Sequence, residues 1–228
     1  MKKITIAIFM LLGSFSMVSA EIGLNIGVTQ TVGVFHATGV DENQNTDGTT
    51  TIVKEDAMGV DTFNAFFVEK TLPGALSRVA VGVSYVQTAL SSATKSAIRE
   101  DHVCVTCTEG GTATTDVFNT TVQIDFKDLT TMYATIGLTE NLYAKAGIMQ
   151  VDVITNESIG TGASYGNTTL DGSVIGLGYN KYLANNFFLR FEGAYMDFEN
   201  KSLTSEDNTI RMNNLQGASG SVQIGKTF

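Results

Sequence analysis

Apolar and polar residues alternate with a period of two along most of the chain beyond residue 20. The segments EIGLNIGV (21–28), VAVGVSYV (79–86) and FFLRFEGAYMDF (187–198) each carry large apolar side chains on one face and small or charged ones on the other. Helical periodicity is scarce. Because alternation of this kind places successive side chains on opposite faces of an extended strand, the pattern predicts a protein built from β-strands.

The composition of the second face distinguishes two kinds of β protein. A soluble sandwich also alternates, with an outward face that is polar. Here the second face is mostly Gly, Ala, Ser and Asn with isolated charges. We therefore expect the small residues to line the interior of a narrow closed sheet and the large apolar residues to face lipid, as in a transmembrane β-barrel. A secreted soluble sandwich is the alternative.

Tight and long breaks alternate strictly between the apolar segments. The tight breaks are at Pro73-Gly74, Glu140-Asn141 and Asn185-Asn186, and the long polar ones are 38–59, 88–117, 155–171 and 199–213. Eight strands follow, at about 22–37, 60–70, 76–87, 118–138, 142–154, 172–182, 187–198 and 214–228. The prediction is an all-β, eight-stranded antiparallel up-and-down transmembrane β-barrel with both termini at the rim of the tight turns.

One segment leaves the strand count open. Residues 118–138 extend over about twice the roughly 9–11 residues that a tilted strand needs to cross a bilayer. They form either one strand that projects beyond the membrane or two strands joined by a turn at Lys127-Asp128. The second reading gives ten strands and breaks the alternation of connection lengths, so eight is favoured.

The first 20 residues have the features of a secretory signal peptide. Lys2 and Lys3 precede an apolar core at 4–12, and Val18-Ser19-Ala20 is a small-residue cleavage site. We expect residues 1–20 to be removed and 21–228 to form the barrel; an uncleaved anchor is the alternative. The formal net charge is −9, and removal of Lys2 and Lys3 lowers it to −11, which argues against nucleic acid as a partner.

The chain ends on an alternating segment whose last residue is aromatic. Val222, Ile224 and Phe228 share one face, and Lys226 interrupts that face. With the signal peptide and the eight-strand pattern, this ending resembles the small outer-membrane β-barrels of Gram-negative bacteria, the class of the OmpA transmembrane domain, OmpX and the opacity proteins. The resemblance implies that Phe228, Ile224 and Val222 form the signal read by the barrel-assembly machinery. Candidates for an interfacial aromatic girdle are Tyr85, Tyr179, Tyr182, Tyr195, Phe187 and Phe198.

Several charged residues fall on the face predicted to line the lumen. Arg190 and Glu192 are clearly on it, and Arg78, Asp125, Lys127 and Lys145 are expected to join them by parity. A charge inside a barrel must be paired or hydrated. A salt-bridge network that fills the lumen is the favoured interpretation, because an eight-stranded barrel is just wide enough for side chains to fill. A gated ion path is the alternative.

Cysteine and histidine are too few to indicate an active site. Cys104 and Cys107 lie in a long polar break of an exported chain, where a local disulfide is the favoured reading. A metal site with His102 and Glu109 would need further ligands. His36, near the end of the first strand, is the candidate base for a lipid-modifying hydrolase, but no motif accompanies it.

The sequence as a whole favours an integral outer-membrane protein with a structural or adhesion-like surface role, without catalysis and without a cofactor or metal. The expected partners are outer-membrane lipids and, during biogenesis, the barrel-assembly machinery. A monomer with both termini in the periplasm is expected. A narrow ion pore and a lipid-modifying enzyme are the alternatives.

Overall fold

The computed structural model describes residues 23–44, 50–92, 95–103, 114–158, 165–205 and 208–228. The predicted signal peptide, residues 1–20, lies outside these ranges. So do Cys104 and Cys107, the two residues of the predicted disulfide.

Ten β-strands account for most of the described chain. They are β1 (Leu24–Gln44), β2 (Thr50–Thr71), β3 (Val79–Ser91), β4 (Lys95–Val103), β5 (Thr114–Gly137), β6 (Leu142–Ser158), β7 (Thr168–Tyr182), β8 (Phe187–Phe198), β9 (Lys201–Ser205) and β10 (Asn208–Thr227). Two short 3-10 segments, Gly74–Leu76 and Ala184–Asn186, lie between strands. Among the described residues, no helix has the length and apolar character needed to cross a membrane.

Eight of the ten strands close into a ring. Each pairs antiparallel with the next in the order β1, β2, β3, β5, β6, β7, β8 and β10, and β10 pairs back onto β1. The other two extend hairpins outside the ring, β4 against β5 and β9 against β10. The prediction of an eight-stranded antiparallel up-and-down barrel is therefore confirmed.

The two ends of the described chain close the barrel against each other. The Leu24 N–H donates to the Phe228 carbonyl at 3.3 Å, and the Phe228 N–H donates to the Leu24 carbonyl at 2.8 Å. The tight connections occur at the predicted places, and Asn185 and Asn186 turn the chain with φ values of 60° and 62°. Asn tolerates this left-handed region better than most residues do. We call this rim the turn side and the opposite rim the loop side.

The predicted irregularity at Lys127-Asp128 is a β-bulge within one continuous strand. Lys127 lies opposite Asp152 of β6 and Thr130 lies opposite Gln150, so β5 contains one extra residue between these pairs. Asp128 has a φ of 54°. The ten-strand alternative that placed a turn here was therefore wrong. An extra residue reverses which face the following side chains occupy.

The long polar breaks are shorter than predicted. In the first of them, 38–59, β1 continues to Gln44 and β2 begins at Thr50. The other breaks contain β4, β9 and the ends of β5, β6, β7 and β10. Polar composition alone predicts irregular loops at these breaks. Two antiparallel strands satisfy each other's backbone hydrogen bonds whatever their side chains, so a polar hairpin extends the ladder beyond the barrel.

The exterior of the barrel carries an apolar band. Ile26, Val28, Ile148, Ile175 and Leu177 are 44 to 65% exposed, in agreement with the prediction that large apolar residues face outward. A closed antiparallel sheet with such an exterior is a membrane β-barrel.

Small residues do line part of the interior, but they share it with large side chains that were expected to face lipid. Aromatic rings are buried there, and inward-facing glycines leave room for them. A Cβ on Gly82 would lie 2.6 Å from the Tyr133 ring, and a Cβ on Gly178 would lie 2.2 Å from the Tyr143 ring. Glycine is thus required at these positions because a ring from a neighbouring strand occupies the space above it.

Candidate functional site in the barrel lumen

A buried ion pair crosses the turn-side half of the lumen. Glu69 on β2 and Arg190 on β8 are 1% and 5% exposed. Two guanidinium nitrogens of Arg190, Nη1 and Nη2, donate to the two carboxylate oxygens of Glu69 at 3.0 and 3.1 Å. This bidentate geometry is the strongest arrangement available to an Arg–carboxylate pair.

Neutral side chains satisfy the remaining polar atoms of this pair. The Arg190 Nε donates to the Asn180 Oδ1 at 2.7 Å, and Asn25 Nδ2 donates to Glu69 Oε1 at 3.0 Å. The Thr227 hydroxyl donates to Asn25 Oδ1 at 2.7 Å. Side chains from five strands, β1, β2, β7, β8 and β10, therefore hold the ion pair. The pairing and the additional hydrogen bonds offset the desolvation penalty of the two buried charges.

A second ion pair lies beside the first. Lys145 Nζ on β6 lies 2.8 Å from Glu192 Oε1 on β8, and the Tyr143 hydroxyl donates to Glu192 Oε2 at 2.6 Å. With Glu69 and Arg190, the network contains two acids and two bases, so its formal charge is zero. We call these four residues and Tyr143 the lumen network.

Aromatic rings surround the two cations of the lumen network. The Arg190 guanidinium carbon lies 4.8 Å from the centre of the Tyr143 ring and 5.2 Å from that of Phe188. Lys145 Nζ lies 4.5 Å from the centre of the Tyr133 ring. These distances are within the range of cation–π attraction, which strengthens when water is excluded.

The loop-side half of the lumen is apolar. Its cluster includes Phe35, Phe63, Leu129, Met149, Leu170 and Phe198, and Leu170 is fully buried. A cavity of about 70 Å³ remains between this cluster and the lumen network, lined by residues from both. That volume holds a few water molecules and nothing of metabolite size. On the turn side, a wider mouth of about 280 Å³ ends at Glu69 and Arg190.

The structure brings together three of the six charged residues that the sequence placed in the lumen: Arg190, Glu192 and Lys145. Lys127 is not among them, and its side chain is 43% exposed beside Asp125. Arg78 lies elsewhere, exposed in the turn before β3 at the mouth. It lies beyond the end of the strand, where alternation no longer sets the side chain's direction.

Asp125 lies on the outward face of β5 beyond the bulge. Its neighbour Phe126 points into the apolar cluster, so Asp125 points outward, where it accepts a hydrogen bond from Asn156 at 2.9 Å and lies 3.4 Å from Lys127 Nζ. Asp125 is nevertheless only 9% exposed at this position. The bulge explains why Asp125 faces outward although the sequence predicted it in the lumen. Strict alternation along β5 ignores the extra residue and therefore assigns the residues beyond the bulge to the wrong face.

Glu69 is the network residue that the sequence analysis missed. It follows Phe63, Ala65 and Phe67, all buried on the inward face of β2. Because large apolar residues were expected to face lipid, and Phe66 and Phe67 are adjacent, the two faces of β2 could not be told apart. One sequence feature could have identified Glu69 as a lumen residue. It is an acid at the end of β2 that alternates in step with Phe63 and Phe67 and so lies on the same face as they do.

The terminal residues lie on the outward face of β10. Val222, Ile224 and Phe228 are 47 to 50% exposed. Lys226, which interrupted the apolar pattern, has its Nζ 5.1 Å from the centre of the Phe228 ring and 5.6 Å from that of Phe187. The lysine thus stays on the lipid-facing side while its charge is held between two rings at the turn-side rim.

The remaining sequence candidates occupy exterior positions, with one exception. Tyr85, Tyr179, Tyr182, Tyr195 and Phe187 are 40 to 64% exposed, whereas Phe198 is 8% exposed inside the apolar cluster. His36 is exposed on β1, opposite Met58 of β2 and Gln216 of β10. Within the described residues, no group of three or more His, Cys, Asp or Glu side chains is placed to hold a metal ion.

Comparison with solved structures gives matches across most of the chain at low identity. The outer membrane protease OmpT from Escherichia coli is 9% identical with a TM-score of 0.48, over 93% of this chain and 99% of that chain. The outer membrane protein AlkL, solved by solid-state NMR in DMPC bilayers, is 14% identical with a TM-score of 0.49, over 94% and 95%. The Neisserial surface protein A is 9% identical with a TM-score of 0.34, over 87% and 97%.

At these identities and TM-scores the similarities assign no activity. No protein-family model and no curated protein matches the chain.

Proposed function

We propose that the protein is an outer-membrane barrel with a closed lumen and a surface-interaction role carried by its loop-side hairpins. The observation that carries the proposal is the combination of a filled interior with a projecting, exposed β1–β2 hairpin. Every side chain from Ile52 to Met58 is exposed. Function that depends on exposed connections above a rigid barrel is a common use of such scaffolds.

The hairpin presents apolar side chains to solvent. Ile52, Val53 and Met58 are 55%, 50% and 75% exposed, and Glu55 and Asp56 lie among them. Exposed apolar residues rimmed by polar ones are typical of surfaces that bind another protein or a membrane. The hairpin is therefore the part of the molecule best suited to contact a partner outside the cell.

The surface role can be tested by adherence of bacteria that express the protein to cultured cells. Replacing Ile52, Val53 and Met58 by Ser should reduce adherence severalfold while heat-modifiable gel mobility stays normal. Leu76→Ser is the matched control, because Leu76 is 56% exposed at the turn side. Equal adherence of both variants and the wild type would contradict the proposal.

A closed lumen predicts no stable ionic conductance. In planar bilayers the wild-type protein should give no lasting open events, since the lumen network and the apolar cluster leave only about 70 Å³ between them. Glu69→Ala combined with Arg190→Ala should also give no lasting open events, because the apolar cluster still fills the loop-side half of the lumen. Stable openings of the wild type would favour the narrow-pore alternative.

We place the turn side and both termini in the periplasm, since barrels of this type carry longer connections on the outer face. An epitope tag inserted within 45–49 should be accessible on intact cells, whereas one inserted after Gly74 should not. The reverse labelling would contradict the orientation.

The proposal includes no catalytic step. Lipid A from cells that overexpress the protein should be chemically unchanged in mass spectra. A new lipid species that disappears in a His36→Ala variant would instead favour a lipid-modifying enzyme.

We assign the assembly signal to Phe228, Ile224 and Val222. Their outward position and the terminal aromatic support this role. Phe228→Ala should reduce insertion in cells far more than it destabilises purified, refolded barrel. Normal insertion of that variant would contradict the assignment.

A further inference from the structure

We propose that a second copy of this chain docks on the lipid-facing surface formed by β2, β1, β10 and β8. The observation behind the proposal is a pair of polar side chains in the middle of the apolar band. Gln30 on β1 and Asn64 on β2 lie directly opposite each other, and both are exposed.

Both amides lie at the centre of the apolar band. The outward residues of β1 are Leu24, Ile26, Val28, Gln30, Val32 and Val34, followed by His36. Gln30 is therefore equally far from both ends of the series. Within the described part of the chain neither side-chain amide has a hydrogen-bond partner. Acyl chains offer none, and an unsatisfied polar group in hydrocarbon is costly.

A second copy can supply the missing hydrogen bonds. Each amide is both a donor and an acceptor, so Gln30 of one copy can pair with Asn64 or Gln30 of the other. Such a contact is self-complementary, as a two-fold interface requires. A lipid molecule satisfies amides at this depth poorly, because its polar atoms lie near the membrane surface.

The surface beside Gln30 offers room for a close approach. A groove of about 440 Å³ runs over Gly193 and Gly220, with Val32, Phe191 and Val222 as its walls. A Cβ added at Gly220 would meet no atom of this chain within 4 Å, so the space is open toward the membrane. Small residues at membrane interfaces allow two backbones to come together.

A projecting side chain lies on the other side of Gln30. Phe66 on β2 is 70% exposed, next to Asn64 on the same face. A two-fold axis near Gln30 carries Phe66 of each copy toward the groove of the other. The groove, the two amides and the Phe66 ring then form one isologous contact. The protein would thus be a dimer, whereas the sequence predicts a monomer.

The test measures association in vesicles by energy transfer between labelled copies, as the protein-to-lipid ratio is varied. Wild-type protein should show concentration-dependent transfer with a dimer end point. Gln30→Leu with Asn64→Leu should weaken association by about tenfold, because two symmetric hydrogen-bonded contacts are lost. Ile148→Ala, which changes the opposite lipid-facing side on β6, should leave association unchanged.

Gly220→Leu provides an independent variant. The new side chain enters open space in the single barrel, so folding and heat-modifiable mobility should be preserved. It fills the groove, so association should fall by more than tenfold. If the wild type shows no transfer at any ratio, or if Gly220→Leu associates as well as the wild type, the proposal is wrong.

A photo-crosslinking amino acid at position 66 identifies the occupant directly. It should give a protein dimer in membranes, whereas the same group at position 148 should react with lipid. Reaction with lipid alone at position 66 would overturn the proposal in favour of a lipid-filled groove. The adherence test does not depend on this outcome.

Discussion

The two halves of the lumen close the same barrel by different means. On the turn side, Glu69, Arg190, Lys145 and Glu192 form a desolvated network of zero formal charge. On the loop side, the interior is a cluster of aliphatic and aromatic side chains around Leu170. The stability of the turn-side half depends on the position of every polar atom, whereas that of the loop-side half depends mainly on how well the side chains fill the volume.

The difference indicates how each half responds to change. Removing one partner from a buried ion pair leaves a charge without compensation, at a cost of several kcal/mol. Removing a methyl or an isobutyl group from an apolar cluster leaves a cavity, whose cost depends on how far the neighbours relax. The turn-side half should therefore be the less tolerant of single substitutions. Urea unfolding followed by circular dichroism suits these tests, since the chain has no Trp.

The largest expected effect is on the turn side. Arg190→Met leaves Glu69 buried without a cation and should lower the free energy of unfolding by about 3–5 kcal/mol. Combining it with Glu69→Leu should cost less than the single change, because no charge is then left alone. If the double variant is the less stable of the two, the ion pair is not the source of the effect.

On the loop side, Leu170→Ala should lower the free energy of unfolding by about 3 kcal/mol. The loss comes from the apolar surface that is no longer buried and from the cavity left among close-packed residues. Leu177→Ala on the same strand is the control, because Leu177 faces outward with 64% exposure and leaves no internal cavity. A Leu170→Ala cost well above that of Arg190→Met would reverse the proposed order of tolerance.

Glycine–ring packing is common to both halves, and Gly82→Ala tests it in the turn-side half. The added Cβ would lie 2.6 Å from the Tyr133 ring, so the ring must move and the free energy of unfolding should fall by about 1–3 kcal/mol. Gly59→Ala, whose Cβ would meet nothing within 4 Å, is the matched control. Equal stability of both variants would argue against close packing of Tyr133.

The smallest effect is expected at the rim outside the lumen. Lys226→Gln removes the cation between Phe187 and Phe228 and should cost less than about 1 kcal/mol, as exposed cation–π contacts do. Lys181→Gln, on an exposed residue of β7, serves as the comparison. A loss as large as that at Arg190 would mean that the rim contributes to stability as much as the lumen network does.

Much of the fold could be predicted from local pattern. Period-two alternation located the ring strands and the three tight turns, and it placed Arg190, Glu192 and Lys145 on the inward face. Glu69 and Asp125 could not be assigned in this way. Glu69 belongs to a strand with large apolar residues on both faces, and Asp125 lies beyond a bulge that changes the parity of β5.

The sequence by itself determined the alternation along each strand and the places where the chain turns, because these depend on neighbours in the chain. Only the tertiary structure decided which charges meet across the lumen and which ring covers which glycine. Those pairings depend on the register between strands and on the closure of β1 onto β10. A single extra residue reverses the faces across the bulge within its own strand, although it changes the local pattern very little.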